Sequence, residues 1–342
     1  MTKIRASDAG WLFDQLASAE GGAEDEVNMS QFLDGVERLA RLRDEKGEGF
    51  PEGARALAQL VSHFTLERIE ETIFRGVSRD LGWGRVYGGQ VLGQALVAAT
   101  RTVPDGRTVH SLHAYFLRPG DASLPVVYMV DPIRDGRSFC TRRVVAMQRG
   151  EAIFNLSASF QPEEQGFDHH TSAPAAPTPD DLENDHQYAL RIAHRLPGKL
   201  ARRATQPGPI ETRPVRRHDP IAPDASPPKR MVWFRARGAL PDVPAVHRAL
   251  LAYASDSHFL VTSLQPHGVS WLTPGLQVAS LDHAMWFHRD FRMDDWLLYA
   301  IDSPSASGSR GLVRGQFFQA GQLVASTMQE GLVRDRRPIA SR

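Results

Sequence analysis

Three polar side chains in the second half of the chain are of types suited to activating a water molecule: Asp256, Ser280 and Gln329. A carboxylate can accept a proton from water, while a hydroxyl and a carboxamide can hold that water in line for attack. Each of the three stands in a stretch that is otherwise largely apolar, so each needs a partner if it is buried. These residues suggest a hydrolytic site if the fold brings them together.

The carboxylate lies on the apolar stripe of a predicted helix. Residues 247–256 have helical spacing, and Asp256 falls three residues after Tyr253 and four after Ala252, which puts it on the same face. A buried carboxylate is costly unless it is hydrogen-bonded, and it is then often functional. We therefore expect Asp256 to be the base.

The hydroxyl lies in a predicted strand, residues 277–288, that is apolar on both faces apart from a few polar residues. Because residues i and i+2 share a face, Ser280 and Asp282 are expected to point one way and His283 the other. Polar groups of a strand covered on both sides must find buried partners. The strand is therefore either part of a site or a core strand with paired polar groups. We expect Ser280 to act in a site, and Asp282 and His283 to support the strand.

The two halves of the chain follow the same pattern. In the first, an almost uncharged helix at 91–99 precedes strand-like runs with no helices between them, which predicts an α+β unit. The same succession returns near residue 229, with Ser280 matching Ser111 and Gly321 matching Gly150, so we predict a tandem repeat. Gln329 then stands where the first repeat has Ala158.

Paired glycines precede the first buried helix. Gly88 and Gly89 permit close backbone approach and leave free N–H groups at the helix start, an arrangement that favours an oxyanion or phosphate. With Gln90 they are candidates for substrate or oxyanion binding. A dinucleotide site is disfavoured, because no alternating strand–helix series surrounds them.

Composition excludes several classes of function. The 40 basic and 40 acidic residues argue against a nucleic-acid partner. Cys140 is the only cysteine, so neither a disulfide nor a zinc cluster is expected. No His-Glu-x-x-His pattern is present either, so no metal site is expected. The first eight residues lack a signal-peptide core, and no apolar run reaches the roughly 20 residues of a membrane span. A cytoplasmic protein without a membrane span is expected.

Several motifs in order closely resemble the TesB-like acyl-CoA thioesterase II family. They are the runs 74–76, 87–94, 113–121, 280–289 and 329–331. The resemblance implies an α+β double hotdog fold, in which each of two antiparallel sheets wraps round a central helix. It implies hydrolysis of acyl-CoA to free fatty acid and CoA without metal, cofactor or covalent intermediate, with the family's catalytic trio on Asp256, Ser280 and Gln329. Ser280 stands where many bacterial relatives have Thr.

The predicted organisation has five segments: a helical N-terminal extension (1–63), the first hotdog repeat (64–161), a Pro-rich linker (162–228), the second repeat with the catalytic residues (229–336) and a tail (337–342). Hotdog sheets commonly pair edge to edge, and a homo-oligomer, a dimer or tetramer, is expected. Two other functions stay open at this point: an enoyl-CoA hydratase on the same fold, and an acyl-CoA-binding sensor without activity.

Overall fold

The structure is a computed structural model that describes residues 52–82 and 84–337. The predicted amphipathic stretches before residue 52 lie outside this part. The α-helices are α1 (Glu52–His63), α2 (Gly88–Thr100), α3 (Asp185–Ile192), α4 (Gly198–Ala204) and α5 (Pro244–Ser255). A 3₁₀ helix, Leu260–His267, follows α5.

Two helices packed against each other, α2 and α5, form the centre of the fold. The helix α2 contains no charged residue and is buried on all sides, as its sequence predicts. The two helices approach closely because α2 carries glycines at the contact. A Cβ on Gly93 would lie 3.2 Å from the carbonyl oxygen of Ala249, and less than that from the Phe64 ring.

Thirteen antiparallel strands of the described chain form one sheet around these helices. They are β1 (Glu67–Glu70), β2 (Ile73–Gly76), β3 (Arg107–Phe116), β4 (Val126–Asp135), β5 (Cys140–Gln148), β6 (Glu151–Pro162), β7 (Ile210–Pro214), β8 (Lys229–Ala236), β9 (Leu276–Ser280), β10 (Asp282–Phe287), β11 (Leu297–Ser307), β12 (Arg310–Gln319) and β13 (Gln322–Asp335). Their order is β1-β2-β4-β5-β6-β3-β10-β13-β12-β11-β8-β7, and β9 pairs with β13.

The sheet is the sum of two repeats joined at one seam. Strands β2 to β6 of the first repeat contact α2, and strands β11 to β13 of the second contact the 3₁₀ helix after α5. At the seam β3 pairs with β10, with Leu112 opposite Met285. The predicted α+β double hotdog is confirmed, and its two sheets are continuous because edge pairing occurs within the chain.

Turn geometry confirms one of the two predicted matches between the repeats and corrects the other. Arg149–Gly150 between β5 and β6, and Ala320–Gly321 between β12 and β13, all have positive φ. Gly331 lies as far after Gly321 as Phe160 lies after Gly150, so these two residues correspond. Gly331 pairs with Ser280, and Phe160 pairs with Val109. The counterpart of Ser280 is therefore Val109 and not Ser111.

A β-bulge separates β9 from β10, so the predicted single strand 277–288 has a break. Ala284 pairs with Met328 and Ser280 with Gly331, which means that four residues on this side span three on β13. The extra residue lies at Leu281 and reverses the alternation beyond it. Ser280 and Asp282 therefore lie on opposite faces of the sheet, although strict alternation predicts that they share one.

The segment predicted as a Pro-rich linker contains regular structure. Besides α3 and α4 it supplies β7, which pairs with β8 at the end of the sheet. Glu211 and Pro214 of β7 are buried, and a proline at the end of an edge strand costs no ladder hydrogen bond. Composition alone concealed this strand, because prolines and arginines surround it.

Candidate active site

The carboxylate of Asp256 joins the ends of the two central helices. Asp256 is the C-cap of α5, a position where the helix's own dipole disfavours a negative charge. Its side chain extends to the start of α2, where the Gly89 N–H donates to Oδ2 at 3.1 Å. The positive end of the α2 dipole thus offsets the unfavourable position on α5.

Two further side chains hydrogen-bond to the other carboxylate oxygen. Gln329 Nε2 donates to Asp256 Oδ1 at 3.0 Å, and Ser280 Oγ lies 3.4 Å from the same oxygen. These residues come from β13 and from the bulge at the end of β9. The fold therefore brings the three predicted site residues together from one helix and two strands.

Burial raises the pKa of Asp256, and the hydrogen bonds from Gln329, Gly89 and Ser280 act against that rise. A carboxylate with a raised pKa holds a proton more strongly than an exposed aspartate does. Such a group is suited to removing a proton from water.

The carboxamide of Gln329 has one polar atom left over. The side chain is completely buried, and its Oε1 has no hydrogen-bond partner within the described residues. A buried acceptor without a partner is rare in folded proteins and suggests a functional reason. It can accept a hydrogen bond from a water molecule that binds beside Asp256.

Gly88 and Gly89 are required by close approach and not by unusual backbone angles. A Cβ on Gly89 would lie 2.2 Å from the carbonyl oxygen of Tyr253, and one on Gly88 would lie 2.8 Å from Asp256 Oδ2. Real Cβ atoms do not come so close, so only glycine lets the start of α2 reach the end of α5.

The three residues predicted for oxyanion or substrate binding differ in their surroundings. The N–H of Gly89 is engaged by Asp256, and the N–H of Gln90 donates to the Tyr87 carbonyl. The side chain of Gln90 holds the preceding loop instead, through Arg79 N and Val77 O. The N–H of Gly88 takes part in none of the hydrogen bonds of the described residues.

His283 and Asp282 have contacts that fit supporting roles. His283 is fully buried, its Nε2 lies 2.9 Å from Ser255 Oγ, and burial lowers its pKa to about 3. It is therefore neutral at physiological pH. Asp282 Oδ1 accepts the backbone N–H of Glu330 at 2.6 Å, which ties β10 to β13 next to the bulge.

Sequence reasoning missed two aromatic residues that line the site. Tyr87 precedes α2, and its hydroxyl donates to the Tyr253 carbonyl at 3.2 Å. Burial and, after it, the negative charge of Asp256 raise the pKa of Tyr87. The Phe116 ring lies against Gly88. The one available signal was the position of Tyr87 directly before the glycine pair.

The opposite end of the helix pair lacks these groups. The C-cap of α2 is Arg101, where α5 has Asp256, and α5 begins with Pro244, where α2 begins with Gly88. The strand positions corresponding to Ser280 and Gln329 are held by Val109 and by Ala158. Among the described residues, the repeats therefore form one polar site and not two.

The described residues contain no group of three or more His, Cys, Asp or Glu side chains that could hold a metal ion. Nor does any helix among them have the length and apolarity needed to cross a membrane.

Comparison with known proteins places this chain in a family. Residues 78–161 match the family model for the acyl-CoA thioesterase N-terminal domain, and residues 202–332 match that for acyl-CoA thioesterase. Acyl-CoA thioesterase 2 of Haemophilus influenzae is 42% identical over 279 residues, covering 81% of this chain and 98% of its relative.

Solved structures agree. The acyl-CoA thioesterase II TesB2 of Mycobacterium marinum superimposes with a TM-score of 0.67 at 43% identity, over 83% of this chain and 100% of the other. A hot dog protein of unknown function from Alicyclobacillus acidocaldarius gives 0.64 at 19% identity, over 82% and 99%, which bears on the fold alone.

The double hotdog fold and the matches to acyl-CoA thioesterases over most of the chain identify a thioester hydrolase. This chain belongs to the TesB-like acyl-CoA thioesterase II family.

Proposed function

We propose that the protein hydrolyses fatty acyl-CoA to free fatty acid and CoA, using a water molecule activated by Asp256. The observation that carries this proposal is the convergence of Gln329, Ser280 and the Gly89 N–H on the Asp256 carboxylate. This arrangement fixes the carboxylate and leaves a buried acceptor, Gln329 Oε1, beside it. The relatives named as acyl-CoA thioesterases support the choice of substrate.

In the first step, one proton of the water molecule passes to Asp256 as the water oxygen bonds to the thioester carbonyl carbon. Ser280 and Gln329 Oε1 orient the water, which lowers the entropic part of the barrier. The carbonyl oxygen becomes an oxyanion. Collapse of this tetrahedral intermediate breaks the C–S bond, and the proton on Asp256 returns to the departing CoA sulfur.

The N–H of Gly88 is the proposed donor to the oxyanion. It lies at the first turn of α2, where the helix dipole favours negative charge. The other two N–H groups already have acceptors: that of Gly89 donates to Asp256, and that of Gln90 donates to the Tyr87 carbonyl. This choice narrows the three predicted candidates to one.

The test is the Asp256→Asn variant. Asparagine keeps the shape and can still accept the Gly89 N–H, but it cannot take a proton from water. We expect turnover to fall roughly 10²–10⁴-fold with little change in the melting temperature. The measurement is CoA thiol release from a panel of acyl-CoA chain lengths.

The matched control is Asp242→Asn, because Asp242 is almost fully exposed and pairs with Arg292 on the surface. Its activity should equal that of the wild type. Unchanged thiol release by a folded Asp256→Asn protein would contradict the proposed mechanism.

A homo-oligomer, a dimer or tetramer, and a cytoplasmic location also belong to this proposal. Exposed apolar side chains of the first repeat, Tyr115, Leu117 and Met129, support self-association. The one cysteine, Cys140, is buried and free, which fits a reducing compartment.

A further inference from the structure

A cavity of about 410 Å³ lies between the segment that connects the two repeats and the 3₁₀ helix after α5. Its volume falls within the range of small-molecule sites. Apolar side chains from α3, α4, the 3₁₀ helix and nearby loops form much of the wall: Ile192, Leu196, Leu200, Val261, Leu264 and Val269. None of Asp256, Ser280 and Gln329 lines it, so the cavity is distinct from the reacting centre.

The polar part of the wall contains a cation without a hydrogen bond at its Nε. Arg230 of β8 lines the cavity, and its Nε is buried with no partner in the described part of the chain. Gln265 Oε1, also in the wall, is likewise buried and unpartnered. Gln265 Nε2 donates to the carbonyls of Pro227 and Lys229, which holds this side chain close to the start of β8.

The acidic side chains of the wall do not neutralise Arg230. Each of the three forms an ion pair elsewhere: Asp185 with Arg217, Asp219 with Arg195 and Asp224 with Arg216. Asp185 is also within 2.9 Å of His258 Nε2. Burial lowers the pKa of Arg230 to about 10, and the negative charge of Asp185 opposes that shift only in part. A buried guanidinium without a direct ion pair is costly, and a bound anion would lower that cost.

His218, another wall residue, shows the sign of the local field. Burial, followed by the positive charges of Arg230 and Arg216, lowers the pKa of His218 to about 4. His218 is therefore neutral at pH 7. The polar part of the cavity thus offers the Arg230 guanidinium next to a neutral imidazole, which suits a single negative charge.

We propose that this cavity binds an aliphatic carboxylate, with the carboxylate on Arg230 and the chain along the apolar wall. The class of ligand follows from the cavity. Its source, the free fatty acid released by hydrolysis, rests on the proposed function. Binding at this position would let the enzyme hold its product without blocking Asp256.

The test is calorimetric titration of the full-length protein with decanoate and with 1-decanol, which differ in the charged head alone. We expect decanoate to bind about tenfold more tightly than decanol, since a charge-assisted hydrogen bond is worth about that factor. Arg230→Met should remove the preference and leave decanol binding unchanged. Equal binding of acid and alcohol by the wild type would overturn the proposal.

Two further variants locate the ligand. Arg202→Met changes an exposed arginine of α4 that does not line the cavity, and it should bind decanoate as the wild type does. Ala189→Phe should fill the space and weaken both ligands. Undiminished decanoate binding by Ala189→Phe would place the ligand elsewhere and contradict the proposal.

A final arm separates the free acid from the acyl chain of bound substrate. Decanoate is titrated in the presence of a saturating, non-hydrolysable decanoyl thioether of CoA. Unchanged affinity supports a free-acid site. Loss of binding would show that the substrate's own chain fills the cavity and would overturn the free-acid assignment. These titrations require no turnover, so they stay informative if Asp256 proves not to be the base.

Discussion

Gln329 contacts Asp256 through a single hydrogen bond, one of three that lower the pKa of this carboxyl group. The Nε2 donor lowers the pKa of the carboxyl group, whereas burial raises it. In Gln329→Leu the donor is lost, so the pKa of Asp256 should rise further. The acid limb of the kcat/KM profile should move to higher pH, and the plateau should fall about 10²-fold because the water is no longer held.

Gln322→Leu is the control for this variant, because Gln322 lies on the same strand and is exposed. Its pH profile should superimpose on that of the wild type. An acid limb that stays in place in Gln329→Leu would show that the hydrogen bond does not control the base.

His283 should influence stability and not the chemical step. Its counterpart in the first repeat is Leu112. Leu112 pairs with Ala158, the counterpart of Gln329, and the strand register likewise sets His283 opposite Gln329. The unfolded chain binds a proton at this histidine below about pH 6.5, but the folded protein does so only near 3. Stability contributed at this position is therefore lost as the pH falls through that window.

In His283→Leu this acid-dependent loss disappears. The variant's free energy of unfolding minus that of the wild type should therefore depend on pH. We expect this difference to be about 2 kcal/mol larger at pH 5 than at pH 7. Denaturant titration at the two pH values measures this. The kcat should stay within a few-fold; a fall of more than tenfold in a stable variant would give His283 a part in catalysis.

At the scale of the element, the bulge at Leu281 allows the Ser280 hydroxyl, which we propose orients the water, to face Asp256. The first repeat has the same irregularity, and there Val109 occupies the position of Ser280. Ser280→Val should therefore fold normally, because this backbone already accommodates valine. Its turnover should fall about 10–100-fold, since the water loses one of its orienting groups.

Thiol release and the melting temperature together test this prediction. Ser326→Val, on the outer side of β13 where Ser326 contacts His288, is the control and should retain activity. Full activity in Ser280→Val would restrict the catalytic group to Asp256 and Gln329.

Sequence patterns predicted the elements better than their irregularities. The uncharged character of α2 and the glycine pair before it indicated a buried helix with a special start, and both are present. The bulge was not predictable, because it depends on pairing with a distant strand and leaves the hydrophobic pattern of residues 277–288 unchanged. The comparison of Ser280 with Ser111 failed for a different reason. Ser280 lies 41 residues before Gly321 but Ser111 lies 39 before Gly150, and the equal separation of 41 leads to Val109.

The capping of Asp256 by the Gly89 N–H was also beyond sequence reasoning. It arises from the antiparallel packing of α2 on α5, which joins residues 167 positions apart. Glycine suggested an anion at the start of α2, but the anion that lies there in the folded chain is the protein's own Asp256 carboxylate.

At the scale of the whole molecule, the proposed active site draws on both repeats. Asp256, Ser280 and Gln329 belong to the second, while Gly88 and Gly89 belong to the first. We expect a chain divided at the fully exposed Phe167 to yield two fragments that are inactive separately and active when mixed. The long β3–β10 seam and the buried helix contact should hold the fragments together.

Thiol release from each fragment and from the mixture measures this. Activity of the C-terminal fragment alone, at the rate of the intact chain, would show that the glycines of the first repeat are dispensable.

The unequal ends of the helix pair also fix how many substrates one chain can turn over at a time. With Arg101, Pro244, Val109 and Ala158 at the opposite end, a tight-binding transition-state analogue should saturate at one equivalent per chain. Each polypeptide then counts as one catalytic unit, although its backbone is built twice. An assembly of such chains would therefore contain as many active sites as chains. Substitutions that would abolish turnover at Ser280 or Gln329 can be tolerated at the corresponding positions of the first repeat, Val109 and Ala158.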